Sequence, residues 1–161
     1  MHRFGRIDLD DVAGAGTHNT WVAYGTSKLA NLLFAFELAR RLEATGLATR
    51  SVAAHPGWTR SNLAGSGASL GSNRVRRKVA RGVGLTFGQS TAGRALPILC
   101  AATTASVRSG QYVGPSRLFG LAGPPRVERP SAAARDRNTA TRLWLASEEI
   151  TGVRYSVDSP A

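Results

Sequence analysis

The chain has 161 residues, a length that a single domain fills. Apolar residues make up 42% and aromatic ones only 7%, so the core rests on Ala, Leu and Val, and a disordered tail is excluded. No apolar run approaches the roughly 18–20 residues of a membrane-spanning helix, the one cysteine excludes an internal disulfide framework and a multi-cysteine zinc site, and a net charge of +11 raises nucleic acid or an anionic surface as a partner.

Residues 4–18 read as a loop, with acids at Asp8, Asp10 and Asp11 and glycines at Gly14 and Gly16. Thr17 or Asn19 is placed to cap a helix that starts just after them. The pattern predicts a strong helix over about 20–45. Leu29, Leu32, Leu33 and Phe36 share a face, and Phe34, Leu38 and Leu42 widen it, so the helix is buried on more than one side. Gly46 is the stop signal.

A short run, about 50–55, ends at Pro56-Gly57 and predicts a buried strand of a parallel sheet. Residues 59–88 are expected to form a long loop region, with a short basic helix near 75–82. A second helix is expected over about 89–102, with Pro97 forcing a bend or a later start. A strand is expected at about 111–113 between two glycines. Residues 115–131, containing Gly123-Pro124-Pro125, read as a loop, and a third helix is expected over about 132–147.

Helix, strand, helix, strand, helix is an α/β order. With only two strands expected, the sheet lacks cover for its edges, and the chain reads as one partial domain over 1–161.

The charge is uneven. No Asp or Glu lies between Glu43 and Glu128, an interval with 11 Lys and Arg residues. Its densest part is Arg74, Arg76, Arg77, Lys78 and Arg81. A phosphate-binding patch is one reading. A solvated helix face is the preferred one, because no aromatic interleaves the cluster and because 19 Arg against 2 Lys is a common by-product of GC-rich coding. The N-terminus has no apolar stretch of the secretory type. That and the lone cysteine set the expectation of a reducing, cytoplasmic location.

Tyr24-Gly25-Thr26-Ser27-Lys28 puts a phenol and an ammonium four residues apart, on one helix face. A phenol ordinarily titrates too high for proton exchange at neutral pH, and a nearby cation stabilises its ionised form. The pair has the makings of a general acid/base, although a half-buried Tyr beside a Lys is also common packing. Of the remaining candidates, His2, His18 and His55 lack metal-ligand spacing, so no metal is expected. His55 reads as a hydrogen-bonded turn residue, Ser27 as a helix-packing serine and Cys100 as core. Trp21, Trp58 and Trp144 read as packing residues.

The stretch Ala23-Tyr24-Gly25-Thr26-Ser27-Lys28-Leu29-Ala30-Asn31, continuing into Glu37-Leu38-Ala39-Arg40-Arg41-Leu42, resembles the active-site helix of short-chain dehydrogenases/reductases. His55-Pro56-Gly57-Trp58-Thr59 resembles the strand-end motif of the same superfamily. His2-Arg3-Phe4-Gly5-Arg6-Ile7 and Asp8-Leu9-Asp10-Asp11 resemble its retinol-dehydrogenase-like branch. The resemblance implies the C-terminal part of a Rossmann-like doubly wound parallel sheet.

It also implies NAD or NADP as cofactor, with NADP slightly favoured, and a small-molecule alcohol or carbonyl substrate. Tyr24 would exchange the proton, Lys28 would assist it and bind the nicotinamide ribose, and Pro56, Gly57 and Thr59 would lie against the nicotinamide. The Gly-rich strand-turn-helix that seats a pyrophosphate is missing ahead of Tyr24, and Gly65–Gly71 reads as a flexible loop instead. A chain of reduced or no activity is therefore expected. The rival readings are a basic module binding nucleic acid or a partner through residues 74–81, and a remnant without independent function.

Overall fold

The computed structural model describes residues 2–12, 16, 19–57 and 91–155. Its elements are α1 (Thr20–Ala44), β1 (Ala53–Ala54), α2 (Thr91–Thr103), β2 (Tyr112–Arg117), β3 (Ala122–Glu128) and α3 (Arg137–Thr151), with 3-10 turns at His2–Phe4, Leu118–Gly120 and Ala133–Arg135. The fold is α/β, and the three strands form one sheet in the order β1-β2-β3.

The described residues fall into two compact units. The first takes the chain to Ala53, Arg108–Tyr112, and the chain from Arg129 onward; the second takes Ala54–Val107 and Val113–Glu128.

The first unit is built on α1. Asn19 Oδ1 accepts the Trp21 amide at 2.9 Å, which satisfies one of the helix's otherwise unpaired donors. At the other end Gly46 turns left-handed, with φ +69°. Its amide bonds Glu43 O at 3.2 Å and the Leu47 amide reaches back to Leu42 O at 3.2 Å, the double closure that ends many helices.

Between these caps, Leu29, Leu32 and Leu33 join Tyr112, Ala134, Ala140 and Leu143 in a buried cluster, with Ile7, Leu9, Val12, Ala30, Phe36 and Ala53 packed on it. Phe34 stacks on Trp144 of α3, with ring centroids 4.6 Å apart and planes 18° apart. The width of the apolar stripe on α1 is explained by this second layer of contact.

Glu37 is a buried acid in the same unit, 2% exposed. Arg40 and Arg41, on the next turn of α1, both bond its carboxylate, and the Thr141 hydroxyl of α3 approaches it at 3.4 Å. Arg41 also stands 4.6 Å from the Trp144 ring centre.

β1 and β2 run parallel: Ala53 N bonds Gln111 O at 3.0 Å and His55 N bonds Val113 O at 2.9 Å, so both chains advance together. The strand expected over about 50–55 is confined to Ala53–Ala54, although the Gly110 N to Ser51 O bond, 2.9 Å, extends the contact towards its start.

β3 corrects the expected loop at 115–131. In the second unit Gly123 lies beside Arg117, and Glu128 beside Gly114, a falling register that makes β3 antiparallel to β2. Pro124 and Pro125 concealed it, since proline disfavours strands. The order of the sheet puts β3 at an edge, the position where proline is tolerated. β2, expected at 111–113, also runs longer, through Pro115 to Arg117.

α2 holds Pro97 in its interior, so the helix does not wait for the proline to start. The helix expected over about 132–147 is a 3-10 turn, a break at Asp136, and α3 over Arg137–Thr151. Asp136 caps α3, accepting the Asn138 amide at 3.0 Å and the Thr139 hydroxyl at 2.8 Å. The bond from the Thr139 side chain, followed by those from the backbone, holds its carboxyl below the usual aspartate range. Two minor expectations also fail: Trp21 is 55% exposed, and Cys100 is half-buried.

Candidate active-site helix and strand-end turn

Tyr24 and Lys28 stand on the first turns of α1. Tyr24 is half-buried and Lys28 is exposed. The Lys28 ammonium lies 5.2 Å from the centre of the Tyr24 ring, within the range of a cation–π contact. The i, i+4 spacing thus brings the two side chains together, with the cation addressing the aromatic face. Ser27, between them in sequence, turns its hydroxyl back to donate to Tyr24 O at 2.8 Å.

The segment around Gly5 braces this end of the helix. A Cβ on Gly5 would overlap the Gly25 carbonyl, and a Cβ on Gly25 would sit 3.0 Å from Gly5 N. The lack of a Cβ at Gly5 is what permits the two backbones to approach so closely, and a Cβ at Gly25 would be tight. One residue on, the Thr26 hydroxyl accepts the Arg6 amide at 3.2 Å and donates to Arg6 O at 3.0 Å. Gly5 and Arg6 therefore brace the helix backbone at Gly25 and Thr26, directly after Tyr24. A glycine and a threonine inside a predicted helix, both poor helix formers, were the available signal for these roles.

Pro56 and Gly57 follow β1 in the second unit. Gly57 has φ +78°, and a Cβ there would lie 2.5 Å from Leu121 O and 2.9 Å from Pro115 Cγ. Its amide donates to His55 Nδ1 at 3.3 Å, and His55 Nε2 meets Glu128 Oε2 at 3.1 Å. Glu128 was not legible as a partner because 73 residues separate it from His55. Thr59 lies outside the described residues, as do Trp58, the 59–88 loop region, Gly65–Gly71 and the cluster Arg74, Arg76, Arg77, Lys78 and Arg81.

The donor set on α1 suits a hydroxyl-rich nucleotide. Lys28 offers an exposed ammonium with up to three donors, and the Tyr24 hydroxyl both donates and accepts. Among the described residues, no group of three His, Cys, Asp or Glu side chains could hold a metal ion, and no helix is long and apolar enough to cross a membrane.

No family model matches the chain. It is 37% identical over 142 residues to the short chain dehydrogenase/reductase dpchH of Colletotrichum higginsianum, covering 85% of this chain and 33% of that protein. It is 32% identical over 155 residues to retinol dehydrogenase 12 of Mus musculus, covering 96% and 44%. Its structure is similar to the crystal structure of an uncharacterised protein from Mycobacterium paratuberculosis, with a TM-score of 0.64 and 32% identity over 94% of this chain and 47% of the other. The fold and the sequence together make the chain a relative of the short-chain dehydrogenases/reductases, on their retinol-dehydrogenase-like side. It spans between a third and a half of the length of these relatives.

Proposed function

We propose that the chain carries the proton-transfer residues and part of the nicotinamide contact of a short-chain dehydrogenase/reductase. Such an enzyme moves hydride between NAD or NADP and a small alcohol or carbonyl substrate. The observation that carries the reading is the Tyr24–Lys28 pair, with its ammonium 5.2 Å from the ring centre on an exposed helix end. The names of the relatives support the reaction type and the substrate class, and the sequence resemblance slightly favours NADP over NAD.

The nicotinamide, when bound, supplies or accepts the hydride, and the protein supplies alignment and the proton. Tyr24 Oη gives its proton to a carbonyl oxygen as it becomes an alcohol, or takes it back in the reverse direction. The Lys28 ammonium, 5.2 Å from the Tyr24 ring centre, would bind the nicotinamide ribose through its donors. Pro56, Gly57 and Thr59 would hold the nicotinamide.

The test uses reduced nicotinamide mononucleotide, which carries the reacting ring without an adenosine half. Its addition should shift the Tyr24 ring and Gly57 amide resonances. Any hydride transfer to small aldehydes or retinal, followed by nicotinamide absorbance, should fall about 10²–10⁴-fold in Tyr24→Phe. Turnover that survives Tyr24→Phe, or resonances indifferent to the nucleotide, would overturn the reading.

A further inference from the structure

The second unit contains a polar cluster that the proposed proton transfer does not use. The His55 ring lies over Gly114, where any Cβ would overlap it. Both ring nitrogens have partners. Nδ1 accepts the Gly57 amide at 3.3 Å, and a nitrogen that accepts carries no proton. In the neutral ring the proton is then on Nε2, which faces Glu128 Oε2 at 3.1 Å. The carboxylate and the tautomer agree.

Glu128 is itself held in place. Its side chain is 16% exposed, and Arg126 Nε stands 3.7 Å from its other oxygen. Gly120, with φ +80°, leaves room beside it, since a Cβ there would lie 3.2 Å from Oε1. Gly57 is walled in by Leu121 and Pro115 at the other end of the cluster. The chain of contact therefore runs from β3, through an imidazole, to the amide of the turn after β1.

We propose that Glu128 is a positioning residue for the nicotinamide-side turn: its carboxylate selects the Nε2–H form of His55, and the lone pair left on Nδ1 orients the Gly57 amide. The proposal rests on the reading of Pro56 and Gly57 as cofactor contacts. Glu128 touches no reacting atom and acts only through His55. Without the carboxylate the acceptor that favours the Nε2–H form is lost, and the Nδ1–H form gains population. Two N–H donors then face each other, and the turn loses its tie. This arrangement is the one by which carboxylates orient histidines that themselves bind or catalyse, applied here to a backbone amide.

The full chain, labelled with ¹⁵N, provides the test. In the unaltered protein the imidazole nitrogens of His55 should report Nε2 protonated and Nδ1 bare; the opposite tautomer overturns the proposal whatever the variants do. In Glu128→Ala the tautomer should become mixed, and the Gly57 amide should shift and exchange about tenfold faster. Glu128→Gln, whose carbonyl can still accept from Nε2–H, should restore both signals. The buried Val113 amide of the same unit controls for folding. An unmoved Gly57 beside an unmoved Val113 in Glu128→Ala overturns the proposal. If Glu128→Ala disturbs Val113 as well, Glu128→Gln decides: a preserved tautomer supports the proposal, and a lost one with Val113 intact overturns it.

Reduced nicotinamide mononucleotide supplies the functional arm. It should bind Glu128→Ala at least about tenfold more weakly than the unaltered chain, and equal binding overturns the proposal. No binding to the unaltered chain overturns the functional reading, while the tautomer and exchange data still decide the geometry of the turn.

Discussion

At Glu37 two effects oppose each other. Burial raises its proton affinity, while hydrogen bonds from Arg40 and Arg41 and their charges lower it, and the net result lies below the ordinary glutamate value. The bonds win because two guanidinium groups converge on one carboxylate. A carboxyl depressed in the folded state stabilises the fold above its unfolded pKa of about 4.3, and that stability drains away as pH falls through the lower folded value. Glu37→Gln should therefore cost about 1–3 kcal/mol at neutral pH. Urea melts between neutral and acid pH should show a shallower acid loss in the variant than in the unaltered chain. Parallel curves would mean that Glu37 is not the group responsible.

Tyr24 and Lys28 could be paired from sequence because four residues along a helix is a local relation, independent of the rest of the fold. Glu128 could not be assigned to His55, because sequence contains no measure of which distant strand returns to a given turn.

Among the elements, α1 was readable because both of its ends are chemical statements, an amide acceptor at Asn19 and a left-handed glycine at Gly46. β3 was hidden by Pro124 and Pro125, whose edge placement depends on sheet order. The start of α3 was hidden by Ala132, Ala133 and Ala134, good helix formers that open a 3-10 turn ahead of the true cap, Asp136.

The brace across α1 gives an element-scale prediction. Gly5→Ala places a methyl into the Gly25 carbonyl and should destabilise by about 1–3 kcal/mol through forced displacement. Gly25→Ala gains up to about 1 kcal/mol of helix propensity, against a tighter but tolerable approach of 3.0 Å to Gly5 N, so its net effect should be near zero. Thermal melts of the two variants separate these cases. Equal losses would show that the backbone contact does not constrain α1.

For the whole molecule, the division into two units predicts separable local stability. Trp144 is fully buried in the first unit between Phe34 and Arg41, and its removal as Trp144→Ala should cost about 3–5 kcal/mol. Among the described residues its indole Nε1 has no hydrogen-bond partner, so the loss should fall towards the lower end of that range, because the variant also removes an unsatisfied donor. Amide exchange should accelerate first at Leu33 in Trp144→Ala, and first at Val113 in Gly57→Ala. Uniform acceleration at both sites in both variants would show one cooperative body.

The two prolines in β3 have a consequence for self-association. Along an extended strand successive nitrogens point to opposite sides, so of two adjacent prolines one always faces outward. Among the described residues, the β3 rim of the sheet therefore presents a gap where a docking strand from another molecule would need a donor. Recruitment of further chains along that rim, the step that seeds fibrils, is thereby disfavoured, at the cost of an interrupted ladder with β2.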